Sequence, residues 1–130
     1  MGWVFIDTSR PDHFRIGLLS AKRRELWEGE GRSRLALNEI GKHISRTSLQ
    51  NADGVCVVAG PGSFSAVRTG VVTANMLSRL YQKPLVGISV DDAFDLDLLT
   101  TRLLADGIPS TGYVAPVYDS EPNITMPKPA

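Results

Sequence analysis

The chain has 130 residues, with 14 lysines and arginines balancing 14 aspartates and glutamates and a hydrophobic fraction of 42%. That length fits one domain with a modest core, and the balanced charge argues against direct, strong binding to nucleic acid or an anionic membrane. No window nears the roughly 18 continuous apolar residues of a membrane span, and Asp7, Thr8, Ser9 and Arg10 break the N-terminal apolar stretch too early for a secretory core, so the expected compartment is the cytoplasm.

Taken in chain order, Trp3-Val4-Phe5-Ile6 and Phe14-Arg15-Ile16-Gly17-Leu18-Leu19 predict two hairpin strands around a turn at Pro11-Asp12. Arg24-Glu25-Leu26-Trp27-Glu28 mixes polar and apolar residues like a half-exposed third strand. Over residues 32–47, Leu37, Ile40 and Ile44 recur at helical spacing, which predicts an amphipathic helix weakened by Gly41. The Val-rich run 54–59 predicts a strand buried on both faces. Its Cys56, the sole cysteine, has no partner for an internal disulfide and fits a small buried hydrophobe. A second helix follows over 65–81, then a strand at Leu85-Val86-Gly87-Ile88. Ser89 and Asp92 form an S-x-x-D capping pattern that predicts a third helix over 90–104, with Gly107 as its left-handed C-terminal residue. One further strand is possible within 112–118. Three antiparallel-type strands followed by helix, strand, helix, strand and helix make an α/β pattern with a mixed sheet and flanking helices. The expected organisation is one lobe over residues 1–118 with a disordered tail at 119–130.

The most distinctive segment is the loop Gly60-Pro61-Gly62-Ser63-Phe64 between a strand and a helix, the usual setting of an anion cradle. It lacks the lysine of a Walker loop, and Ser65 stands where a serine-hydrolase elbow needs glycine. A tight turn with Ser63 or Ser65 as a helix cap accounts for it. A Ser-His-Asp set can be drawn from Ser63, His13 or His43, and Asp7, but two histidines among many acids make such a set easy to find by chance. Asp91, Asp92, Asp95 and Asp97 lack calcium-loop spacing and suit the dipole at a helix start. No catalytic, cofactor-binding or metal residue is therefore expected.

The second helix says more. Val67, Gly70, Val71, Ala74, Leu77 and Tyr81 share one broad apolar face, and Val72, Met76 and Leu80 make another, with Arg68, Asn75 and Arg79 between them. Two apolar faces call for two partners, of which the sheet is one. Gly70 and Ala74, small and one turn apart, permit close approach of another helix.

The run Gly60-Pro61-Gly62-Ser63-Phe64-Ser65-Ala66-Val67-Arg68-Thr69-Gly70 resembles the G-P-G-S-F-T-G-L-R-I-G signature of the TsaB (YeaZ) family, the accessory component of bacterial tRNA threonylcarbamoyladenosine biosynthesis. Ile6-Asp7-Thr8-Ser9 resembles that family's opening I-D-T-S, and Pro84-Leu85-Val86-Gly87-Ile88-Ser89-Val90-Asp91-Asp92-Ala93 its P-L-V-G-V-S-S-L-E-A. The resemblance covers about the first 95 residues. It departs from the pattern at Ser65 and Ala66, at Arg32, which stands where a helix-opening histidine is usual, and in the two dozen residues that follow the third helix in place of a second lobe. Ala115-Pro116-Val117-Tyr118 is nevertheless similar to the P-V-Y found near the end of full-length members.

The resemblance implies the N-terminal lobe of an actin-like, hexokinase-type (ASKHA) fold with a five-stranded sheet, in a reduced member. It also implies a non-catalytic scaffold that pairs with itself or with a TsaD-like catalytic subunit and is joined by a TsaE-like ATPase, with ATP and metal on those partners. The expected interface comprises Leu37, Ile40, Gly41, Ile44, Val67, Gly70, Val71, Ala74 and Leu77. A hydrolase acting through Ser63 and a stand-alone homodimer are the alternatives.

Overall fold

The structure, a computed structural model, describes residues 2–10, 12–22, 24–30, 35–105 and 107–118, and for 35–37 the backbone alone. The tail at 119–130, Arg32 and the side chain of Leu37 lie outside the described residues.

Five strands, β1 (Trp3–Arg10), β2 (His13–Leu19), β3 (Arg24–Glu30), β4 (Gly54–Gly60) and β5 (Leu85–Ser89), form one sheet in the order β3-β2-β1-β4-β5. The first three pair antiparallel, with Ile6 opposite Ile16 and Ile16 opposite Trp27. The Val-rich β4 lies parallel to both β1 and β5, placing Phe5 beside Cys56 and Cys56 beside Val86. Parallel neighbours need crossovers, which helices supply on one face, while a helix that follows β5 covers the other, which is why β1 and β4 read as continuous apolar runs.

On one face Val4, Ile6, Ile16, Val55 and Val57 pack with Ile40 of α1 (Leu35–His43), Leu49 of α2 (Arg46–Asn51) and Val67, Val71, Ala74 and Leu77 of α3 (Phe64–Tyr81). On the other, Phe5, Leu19, Cys56, Val58, Val86 and Ile88 pack with Leu96, Leu99 and Leu103 of α4 (Leu96–Leu104). Cys56 is fully buried there. Burial pushes its thiol far above the ordinary range, and the nearby Asp92 charge adds to the shift.

Three boundaries differ from the sequence reading. The helix expected over 32–47 breaks after His43, because Ser45 caps a new helix by accepting a 3.1 Å hydrogen bond from the Ser48 amide. The helix expected over 90–104 starts at Leu96, where Asp95 accepts from the amides of Asp97 and Leu98. The Ser89–Asp92 reciprocal bonds do form, but they close a short 3-10 turn at Asp91–Ala93. Gly107 is not left-handed; its amide donates to the Arg102 carbonyl at 2.8 Å instead. The left-handed helix end belongs to Gln82, which closes α3 at φ 55°. Residues 112–118 form no strand; they meet the sheet through the Val117 amide, which donates to Ala59, and through the isolated bridge Gly62↔Tyr118, with Thr111 bridging to Leu85 just before them.

Candidate functional site

The signature loop lies beyond the C-terminal end of β4, beside the end of β1, the edge at which parallel α/β sheets place their sites. Gly60 adopts φ +123°, a conformation that favours glycine, and a Cβ there would collide with the Val117 carbonyl oxygen. A Cβ on Gly62 would come within 2.5 Å of the Ser9 carbonyl oxygen and of Val67. The two glycines therefore let three segments converge: the end of β1, the start of α3 and the stretch around Val117, whose amide donates to Ala59 at 2.7 Å.

The end of β1 is buried and committed to internal bonds. Asp7 Oδ1 accepts from the Ser9 amide at 3.0 Å and its hydroxyl at 2.6 Å, while Oδ2 accepts from Arg15 Nε at 3.1 Å and Nη2 at 2.8 Å. Arg15 also reaches the Ala93 carbonyl at 3.3 Å and lies 5.4 Å from the Phe5 ring centre. The Thr8 hydroxyl donates 2.6 Å to the Ala66 carbonyl in the first turn of α3. The Asp7 carboxylate is therefore bound within the chain to Ser9 and Arg15.

Ser63 sits at the N-cap of α3, yet its side chain caps nothing, and its Oγ is buried with no hydrogen-bond partner. The histidines are engaged elsewhere: His13 Nε2 lies 3.9 Å from Glu28, and His43 lies 2.9 Å from Glu39 and stacks on Trp27. The set drawn from Ser63, a histidine and Asp7 does not assemble. A groove of about 390 Å³ beside the loop is lined by Gly60, Pro61, Ile88, Ser89, Val114 and Val117 among others, and among the described residues no titratable side chain lines it. Among the described residues no three histidine, cysteine, aspartate or glutamate side chains gather as a metal-ligand set.

Most residues expected at a partner interface are core residues. Ile40, Ile44, Val67, Val71, Ala74 and Leu77 are buried within the chain, and so is Gly70, whose missing Cβ makes room for the Thr8 hydroxyl. The small residues bring α3 close to β1, not to another helix, because the broader apolar face covers the sheet. Gly41 alone of the described residues in that set is exposed, with open space around its Cα.

What α3 shows outward is its second apolar face. Val72 is 56% exposed, Met76 51% and Leu80 69%, and with Phe64 and Arg68 they recur every fourth residue along one stripe. The Phe64 ring stacks obliquely on Tyr118 at 4.7 Å, and the Arg68 guanidinium lies 5.9 Å from it. The residues of the signature loop thus divide into the buried glycines Gly60 and Gly62 and the exposed Pro61, Phe64 and Arg68, with Ser63 half-buried between them.

This arrangement has known counterparts. Residues 36–96 match the TsaD family, tRNA N6-adenosine threonylcarbamoyltransferase. The fold superposes on YeaZ from Pseudomonas aeruginosa with a TM-score of 0.61 at 20% identity, over 68% of this chain and 43% of that one. Over that part the chain has the fold of YeaZ. A second solved structure, of an uncharacterized protein with similarity to peptidase YeaZ from Pseudomonas aeruginosa, superposes at 0.52 and 22% identity over the same shares. In sequence, the tRNA N6-adenosine threonylcarbamoyltransferase of Methylorubrum extorquens strain PA1 is 39% identical over 62 residues, 48% of this chain and 17% of that protein. The protein of that description from Methylobacterium sp. strain 4-46 is 37% identical over 73 residues, 56% and 18% respectively. The chain thus spans less than a fifth of the length of these curated relatives.

Proposed function

We propose that this chain is a non-catalytic partner subunit in tRNA threonylcarbamoyladenosine synthesis, docking a TsaD-like catalytic subunit through the outward stripe of α3. The observation that carries the reading is the stripe itself: Phe64, Val72, Met76 and Leu80 run along one helix and stay exposed. Contiguous apolar surface of this kind marks an interface. Alone, the chain uses the same surface to pair with a second copy. The transfer of the threonylcarbamoyl group to the adenosine beside the anticodon belongs to the partner, as do ATP and metal, and a TsaE-like ATPase joins that assembly.

The non-catalytic part of the reading is supported by the chemistry of the loop. Among the described residues Ser63 has no hydrogen-bond partner, Asp7 is tied to Arg15, and no acid or base lines the adjoining groove. Nucleophilic catalysis needs an activated nucleophile, and acid-base catalysis a titratable group at the reacting atoms.

The match of residues 36–96 to the transferase itself favours a second reading, in which this lobe descends from the catalytic subunit and stands in for part of it. Modification assays on tRNA with a TsaD-like subunit separate the two. A partner subunit raises the rate only when a complete catalytic subunit is present; a catalytic piece restores activity to a catalytic subunit that lacks the matching segment.

A further inference from the structure

The balanced net charge conceals a segregation between the two faces of the sheet. The chain from α1 to the start of β5 carries Lys42, Arg46, Arg68, Arg79 and Lys83 against Glu39 and Asp53, and α3 itself holds no acid. The opposite face presents Asp91, Asp92, Asp95 and Asp97 within seven residues of chain at the start of α4. Arg102 answers Asp92 at 3.5 Å and Arg24 answers Asp97 at 2.8 Å. Asp91 and Asp95 have no cation partner among the described residues.

Within the same acidic stretch two apolar side chains four residues apart are exposed, Phe94 at 80% just before the cap of α4 and Leu98 at 56% in its first turn. Phe94 stands directly before the helix-capping Asp95, the position from which a hydrophobic residue commonly folds back onto the fourth helical residue. That residue is Leu99, which is buried beneath α4 while Phe94 points into solvent. The local contact that would hide the ring is not made.

We propose that Phe94 and Leu98, with Asp91 and Asp95 at their rim, form a second docking surface that takes a basic amphipathic helix of a partner protein. An apolar pair anchors the helix, and its lysines or arginines meet the Asp91 carboxylate and the Asp95 oxygen not used in capping α4, so that charge selects the partner and sets the salt dependence. The surface lies across the sheet from the α3 stripe, and its occupancy does not depend on the function proposed for that stripe.

A labelled helical peptide of leucines on one face and lysines on the other is the probe, titrated into the whole chain and followed by fluorescence anisotropy, with amide shifts mapped by NMR. Saturable binding is expected, with shifts confined to residues 91–102, weakening as salt rises from 50 to 300 mM. Phe94→Ser with Leu98→Ser weakens it about tenfold or more, Asp91→Lys weakens it further at low salt, and Met76→Ser leaves it unchanged. Both Phe94 and Leu98 are exposed, so the pair of substitutions leaves the melting temperature in place. The proposal is overturned by no saturable binding at millimolar protein, by equal binding of a peptide with glutamates in place of lysines, or by shifts centred on α3.

Discussion

Asn75 and Val114 hold each other through two hydrogen bonds: the Asn75 amide nitrogen donates to the Val114 carbonyl at 2.9 Å, and the Val114 amide donates to Asn75 Oδ1 at 3.0 Å. One side chain of α3 thereby satisfies both backbone groups of a residue in a segment that forms no strand. Asn75 also donates to Val71 at 2.8 Å, which fixes its orientation on the helix. With Val117 bonded to Ala59 and Thr111 to Leu85, this clasp seats residues 111–118 against the edge of the sheet, with Val114 packed over Gly87.

Asn75→Ala removes both clasp bonds and leaves two backbone groups half-buried. The expected loss is about 1–3 kcal/mol, with faster hydrogen exchange at Val114 and Val117 than at the β4 amides. Unchanged exchange at Val114 would show that the segment is held by other contacts.

The approach of α3 to β1 rests on Gly70 and Thr8. Gly70→Ala places a methyl group against the Thr8 hydroxyl, and the overpacking, about 1–3 kcal/mol, exceeds the gain of up to about 1 kcal/mol in helix propensity. In a Thr8→Ala background the obstructing oxygen is gone, so the cost of Gly70→Ala shrinks. A double-mutant cycle by urea denaturation checks this; additive effects would separate the two residues.

Ser63 leads to the opposite sign. An N-cap serine that bonds the helix stabilises it by about 1 kcal/mol, but this hydroxyl is buried and unpartnered. Ser63→Ala therefore melts at or above the wild-type temperature and leaves tRNA modification by the assembled system intact. A serine-directed fluorophosphonate that labels the wild type but not this variant would instead support hydrolase chemistry.

Cys56 makes stability fall in alkali. Burial raises the folded thiol well above the ordinary thiol range, so the folded chain keeps a proton that the unfolded chain releases. The stabilisation is complete below about pH 9 and is lost as pH rises beyond it, by at most about 1.4 kcal/mol per pH unit. Chemical denaturation from pH 8 to 10.5 shows the decline, and Cys56→Ala flattens it. Equal slopes in both proteins would contradict the assignment.

Strand positions are legible in the sequence because β1, β2, β4 and β5 are short apolar runs bounded by turn residues, and because the Val-rich β4 can only be a doubly covered strand. Helix boundaries are less legible, since Ser45 and Asp95 compete with neighbouring caps and only the packing of Leu49 and Leu96 decides where each helix restarts. The outward face of α3 is ambiguous for a different reason. Both of its faces are apolar, and glycine and alanine at 70 and 74 suit close contact with a sheet as well as with a helix. The pairing of Asp7 with Arg15 is a cross-strand contact between β1 and β2, where Asp7 stands opposite Arg15 in register, and the hairpin reading could have placed it.

The most direct test is co-expression of this chain with a TsaD-like subunit, followed by light scattering and native mass spectrometry of the complex. Met76→Asp with Leu80→Asp lies on exposed positions and should keep the melting temperature while abolishing association, whereas Ala74→Arg, at a core position, should unfold the chain. A folded Met76→Asp, Leu80→Asp variant that binds the catalytic subunit at wild-type strength, or a wild-type chain that does not bind it, would contradict the account.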